Sequence, residues 1–339
     1  MKIGLIDVDG HNFPNLALMK ISAWHKQCGD TVEWCNRMER YDKVYMSKVF
    51  DETYSPDIEW VPMADTIIKG GTGYFRRQED GCVETYHGGA WRHGVKKYPA
   101  ERYVEELPWA EEHIYPDYSL YPELTKDTAY GYLTRGCPRN CAFCLVSQKE
   151  GRVSRKVADL SEFWRGQKYI KLMDPNILAC REHMELLGQL ADSGAYVDFT
   201  QGLDIRLLTR ENVILLNEIK VKEIHFAWDS PEEDLEYNFR WYAEHAVRKP
   251  HGKYATVYVL VNYWSAFEDD LRRIYTLDKL GYDPYVMIFN KPSCDPLYLD
   301  LQRWCNRPAI RKKCPNFEDY KKDAPDENQM KVGEMDGTT

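Results

Sequence analysis

The chain lacks any apolar run close to the roughly 20 residues that a membrane-spanning helix requires. Its first residues, Met1-Lys2-Ile3-Gly4-Leu5-Ile6-Asp7, lack the long apolar stretch and cleavage site of a signal peptide. No membrane span is therefore expected, and the predicted location is cytoplasmic. Positive charge is also in deficit: 45 Lys and Arg stand against 54 Asp and Glu, a net charge of −9. That balance argues against a broad nucleic-acid footprint, so a nucleic-acid partner is not indicated. Basic residues gather locally at Arg152, Arg155 and Lys156, and at Arg307, Arg311, Lys312 and Lys313, where a solvated surface is the simplest account. Ten cysteines in 339 residues do not form the dense disulfide framework of a small secreted domain.

What is present is material for a sizeable core, 43% hydrophobic residues in a length suited to about two domains. Strand and helix signals alternate from the start. Lys2 to Val8 is a short apolar run, and Pro14 to Gln27 shows helical spacing through Leu16, Met19, Ile21 and Trp24 before Gly29. Asp9 or Asn12 is placed to cap that helix. Thr31 to Trp34, Lys43 to Met46 and Thr66 to Ile68 supply further strands, the last running into Gly70-Gly71-Thr72-Gly73. Alternation of this kind predicts a parallel sheet with helices on its faces. From about Tyr74 to Leu124 the pattern dissolves into Gly, Pro, Tyr and charge, and an irregular connection is expected there.

A second alternating series follows, with strands predicted at Ala129 to Leu133, Tyr169 to Met173, Tyr196 to Thr200, Glu223 to Trp228, Thr256 to Val261 and Tyr285 to Phe289. Helical patterns lie between them at Arg181 to Ala191, Thr209 to Ile219 and Ala266 to Leu280, the last with Ser265 and Glu268 as a capping box and Gly281 beyond its end. Six such units suit an incomplete (β/α) barrel. The expected class is α/β: a parallel αβα (flavodoxin/Rossmann-like) unit over 1–75, a linker over 76–125, a partial (β/α)6 barrel over 126–292, a helical extension over 293–320 starting at Pro296, and a disordered tail over 321–339.

Cys137-Pro-Arg-Asn-Cys141-Ala-Phe-Cys144 places three thiolates in eight residues, directly after the first strand of the second series. Thiolates are soft ligands suited to an iron-sulfur cluster, and three of them leave one iron of a cubic cluster open to substrate. Zinc completed by a distant ligand is the alternative, although zinc knuckles more often use two C-x2-C pairs and no second pair exists here. The C-x3-C-x2-C loop, with Phe143 before its third cysteine, resembles the signature of the radical S-adenosylmethionine (SAM) enzymes. The resemblance covers about Ala129 to Lys291 and implies a [4Fe-4S] cluster on Cys137, Cys141 and Cys144, SAM as second cofactor, and a reductant such as flavodoxin or ferredoxin. It implies reductive cleavage of SAM to a 5′-deoxyadenosyl radical, on a substrate the sequence does not name. A non-enzymatic zinc or iron-sulfur module is the reading from another class.

In a (β/α) barrel, function gathers on loops after the strands. By the resemblance, Phe143 contacts adenine and Asp174 and Asn176 hold the SAM ammonium. Arg206 pairs with the SAM carboxylate, and Gln201 and Asp229 approach the ribose. The competing readings are an Asp-Pro turn at Asp174, salt bridging at Arg206 and helix initiation at Asp229 or Ser230. The first segment is similar to the cobalamin-binding domains that many radical SAM enzymes carry, through its strand pattern and its Gly70-Gly71 turn. Asp9-Gly10-His11-Asn12-Phe13-Pro14 approaches the D-x-H-x-x-G motif, with Pro14 in place of glycine. Of the remaining cysteines, Cys28 and Cys180 fit helix packing, Cys35 and Cys82 read as ordinary thiols, and Cys294, Cys305 and Cys314 lie where some relatives of that class hold an auxiliary cluster, without a tight spacing.

Overall fold

Apolar residues on both faces of β1 (Lys2–Asp7) determine how the N-terminal part is built. The computed structural model describes residues 1–10, 12–50, 54–75, 90–92, 95–97, 100–104 and 106–323, and the chain divides into two compact units, Met1–Tyr196 and Val197–Thr339. This division falls inside the 126–292 segment and does not coincide with the expected boundary near 125.

In the first unit, β1 leads through α1 (Leu16–Gln27) to β2 (Thr31–Trp34), followed by β3 (Arg40–Ser47) and β4 (Met63–Gly70). The segment expected to be an irregular connection contains three more strands: β5 (Ala90–Arg92) and β6 (Val95–Lys97), which pair with each other, and β7 (Ala100–Val104), which joins β4 in parallel. The charged and proline-flanked run hides β7, because its pairing depends on β4 rather than on local periodicity. The resulting sheet has the order β2-β1-β3-β4-β7, with these four neighbouring pairs all parallel. One face packs Ile3, Leu5 and Tyr45 against Leu18 and Ile21 of α1. The other buries Ile6, Val44, Met46 and Ile67 beneath Ile58, Trp60 and Val61. A sheet buried on both faces needs two covers. Among the described residues the second cover is irregular chain, where helices were expected.

Asn15, not Asp9 or Asn12, caps α1 by accepting from the Leu18 amide at 3.2 Å. Asp9 instead turns into the sheet end and accepts from the amides of Val49 and Phe50, both at 2.7 Å. His11 and Cys82 lie outside the described residues. The Gly70 to Gly73 turn packs against the backbone of Lys48 and Phe50. Gly71 has a φ of +101°, and a Cβ there would stand 2.3 Å from the Lys48 carbonyl oxygen, so glycine is required for packing alone.

Short helices α2 (Trp109–Glu112) and α3 (Pro122–Thr125) lead to β8 (Thr128–Gly131) and β9 (Thr134–Arg135). The cysteine loop, α4 (Val146–Lys149) and β10 (Arg155–Lys156) follow, then β11 (Tyr169–Leu172), paired in parallel with β8, and α5 (His183–Ser193).

The second unit contains most of β12 (Tyr196–Phe199), then α6 (Arg210–Glu218), β13 (Lys220–Ala227), α7 (Glu236–His245), β14 (Ala255–Val261), α8 (Phe267–Lys279) and β15 (Asp283–Ile288). These four strands lie side by side in chain order, β13 to β15 in parallel. Their core is aromatic: Phe226 meets Tyr242 at 5.1 Å, and Phe239 meets Tyr282 at 5.1 Å. The expected Ser265–Glu268 capping box is absent, and Ala266 occupies the cap position without a side-chain bond. The chain enters α8 through Asn262 and Trp264, both with left-handed φ, which displaces Ser265 from the cap. Gly281, φ +90°, closes the helix as expected. Three helices end the described chain: α9 (Pro296–Cys305), α10 (Pro308–Lys313) and α11 (Phe317–Asp323). α11 extends three residues into the expected tail; the rest of that tail lies outside the described residues. Arg311, expected on a solvated surface, is buried and bonds to Asp278 at 2.9 Å and Asp283 at 2.5 Å. The chain is thus mixed α/β with parallel sheets, and no helix among the described residues is long and apolar enough to cross a membrane.

Candidate functional site

The cysteine loop is closed at its neck by a two-strand clamp. β9 and β10 pair antiparallel through Arg135↔Arg155 and Thr134↔Lys156, so the chain leaves and re-enters at one place. At its neck the Cys137 amide donates to the Gly151 carbonyl at 3.1 Å, and Glu150 accepts from the Gly136 amide at 3.1 Å and from Arg135 at 3.0 Å. Gly136 has a φ of +86°, and a Cβ there would fall 2.2 Å from the Val153 carbonyl oxygen, so only glycine fits. Cys137, Cys141 and Cys144 are all of intermediate burial, and the Cys144 amide donates to the Cys141 carbonyl at 3.0 Å. Phe143 is likewise partly buried.

Beneath the loop, at the end of β11, lie Asp174 and Asn176, both nearly inaccessible. Asp174 Oδ1 accepts from the Thr134 amide at 2.5 Å, the Thr134 hydroxyl at 2.6 Å and the Leu133 amide at 3.1 Å. Burial pushes its carboxyl up to about 6, and the Thr134 hydroxyl, the two amides and Arg135 limit the rise. This carboxylate therefore ties β11 to the strand that carries Cys137. Asn176 directs its side-chain amide at Cys137 Sγ, 3.7 Å away, and its own carbonyl accepts from the Ser154 hydroxyl at 2.8 Å. An N–H donor beside a thiolate stabilises the anion and tunes any cluster that the sulfur ligates. Neither the Asp174 tie nor the Asn176 donor was foreseen in the sequence. The signal available was Gly136 immediately before the first cysteine.

The second unit brings together a separate group. Arg206 bonds to Asp204 at 2.6 Å and also to Glu233. Asp229 is half-buried, and its carboxyl is pushed up to about 6 by desolvation, opposed by the positive charges of Arg273 and Arg206. Gln201 is exposed at the turn after β12. Arg273, fully buried, donates to the Leu260 carbonyl at 2.9 Å and pairs with Asp270. Of the other cysteines, Cys305 is fully buried, donates to the Pro284 carbonyl at 3.3 Å, and has its thiol pushed up to about 12 by burial. Cys314 donates to the Asn316 carbonyl at 3.3 Å.

Comparison of the chain with family models and with curated proteins returns no match.

Proposed function

We propose that the chain is a radical SAM enzyme, with Cys137, Cys141 and Cys144 holding a [4Fe-4S] cluster. The observation that carries this reading is the loop itself: three partly exposed thiols, a neck closed by β9 and β10, and the Asn176 amide directed at Cys137. The donor set fits the group, since soft thiolates on a pre-shaped loop, one with a hydrogen-bond donor, suit iron and sulfide. When bound, such a cluster would supply the electron for reductive cleavage of SAM to methionine and a 5′-deoxyadenosyl radical. The chain's own residues orient the site. Asp174 fixes the path of the chain into Cys137, and Glu150 fixes the neck. Asp174 is engaged by four donor contacts from Leu133 and Thr134, which makes it a positioning residue in this reading. In this reading Phe143 is the adenine contact and Asn176 a polar group beside the cluster.

The matching architecture is a partial (β/α)6 barrel comprising β8 and β11 to β15, preceded by a flavodoxin-like sheet. The order β2-β1-β3-β4-β7, with β1 and β3 flanking the reversal, favours that second element, and cobalamin is the methyl carrier in the methyl-transfer branch of this proposal. Anaerobic reconstitution, metal analysis and detection of 5′-deoxyadenosine after SAM and dithionite test the proposal. The expected outcome is about four iron and four sulfide per chain, SAM cleavage, and loss of both in Cys→Ala variants at 137, 141 or 144. Zinc without sulfide would favour the binding-module alternative. A corrinoid spectrum after reconstitution would support the methyl-transfer branch, whereas its absence would leave hydrogen abstraction.

A further inference from the structure

Strand alternation in the second unit sorts its side chains sharply. Val197, Phe199, Ile224 and Phe226 are 0 to 2% exposed, and Phe226 packs against Phe239 and Tyr242 of α7. The opposite face carries Asp198 on β12 and Glu223 and His225 on β13, with Tyr258 and Tyr285 paired beside them on β14 and β15. This face is polar and partly open: Tyr285 is 41% exposed, while Asp198 is 4% exposed. One ligand atom each from Asp198, Glu223 and His225 lies within 4.8 Å of the others.

The spacing is informative. Asp198 Oδ1 stands 3.7 Å from His225 Nδ1, too far for a hydrogen bond, so the carboxylate lies beside the ring without taking its Nδ1 proton. The His225 ring is already oriented. Its Nδ1–H donates to the Phe199 carbonyl at 3.1 Å, which leaves Nε2 as the nitrogen that can ligate a metal, and the ring stacks on Tyr258 at 5.4 Å and 9°. Glu223, two residues before His225 on the same face, is approached by the exposed Lys222 at 3.7 Å. Two carboxylates against one imidazole give the cluster excess negative charge, and that charge helps push the Tyr258 phenol up to about 12 after the larger effect of burial.

We propose that Asp198, Glu223 and His225 bind one divalent cation of the Mn2+, Fe2+ or Zn2+ class. Two hard oxygens with one imidazole nitrogen, and no thiolate, suit such ions. Three protein ligands leave positions open toward the exposed side, where an oxygen or nitrogen of a small molecule binds the metal. The site uses no residue of the cysteine loop.

The test is a Mn2+ titration of the anaerobic full chain, following free Mn2+ by electron paramagnetic resonance. One saturable site per chain is expected, weakened at least tenfold in both Asp198→Asn and Glu223→Gln and retained in the triple variant Cys137→Ala, Cys141→Ala, Cys144→Ala. Absence of saturable binding up to millimolar Mn2+, unchanged affinity in both carboxylate variants, or loss of binding in the triple variant would each overturn the assignment. Should Asp198→Asn misfold by circular dichroism, Glu223→Gln decides, since Glu223 is 36% exposed and its amide leaves the strand intact.

Discussion

Asp174→Asn isolates the charge at the base of the cysteine loop without removing its main acceptor. The amide oxygen can take the place of Oδ1, which receives the Thr134 amide and hydroxyl and the nearer Leu133 contact; only the longer 3.2 Å contact to Oδ2 meets an N–H instead. The wild-type carboxyl titrates near 6 when folded and about 3.9 when unfolded. Because the folded value is the higher, the folded state holds its proton more tightly between about pH 4 and 6. This contribution to stability is complete below about pH 4 and is lost as the pH rises through 6. A difference of about two pH units is worth about 3 kcal/mol. Anaerobic urea unfolding of both proteins between pH 4 and 7.5 therefore separates the effect. The stability difference, wild type minus Asp174→Asn, should fall by about 3 kcal/mol across this range, other carboxylates such as Asp229 cancelling in the subtraction. Asp174→Ala, which strands two amides and a hydroxyl, should destabilise at pH 5 by about 3 kcal/mol. A difference that stays flat with pH, or an alanine variant as stable as wild type at pH 5, would refute the account of Asp174 as a buried, hydrogen-bonded tie.

Three further outcomes follow from the geometry. Asn176→Ala removes the donor facing Cys137, so a reconstituted cluster should keep its iron content but show a lower reduction potential in an anaerobic redox titration; an unchanged potential would remove Asn176 from the cluster's surroundings. Gly136→Ala forces a Cβ onto the Val153 carbonyl at a left-handed φ, costing at least about 2 kcal/mol and iron retention, measured by thermal melting and iron assay. Arg273→Met leaves Asp270 buried without its guanidinium, and urea unfolding should show a loss of about 3 to 5 kcal/mol, whereas a loss below 1 kcal/mol would contradict the pairing.

Local pattern alone located β1 to β4, β8, β11 to β15 and helices α1, α5, α6, α8 and α9, because apolar periodicity and glycine stops act within a single element. The strand β7 was not legible, since its residues are mixed in character and become a strand only by pairing with β4. The cysteine spacing identified three candidate ligands, a property of eight consecutive residues. Who braces those ligands was decided by tertiary structure. Asp174 reaches back 40 residues to Thr134, and Asn176 reaches 39 to Cys137. Likewise Asp198 and His225 stand 27 positions apart in the chain, and only the alignment of two neighbouring strands, with side chains alternating between faces, sets them opposite one another. Spacing along the chain determines which groups are available; burial and strand register determine which of them meet.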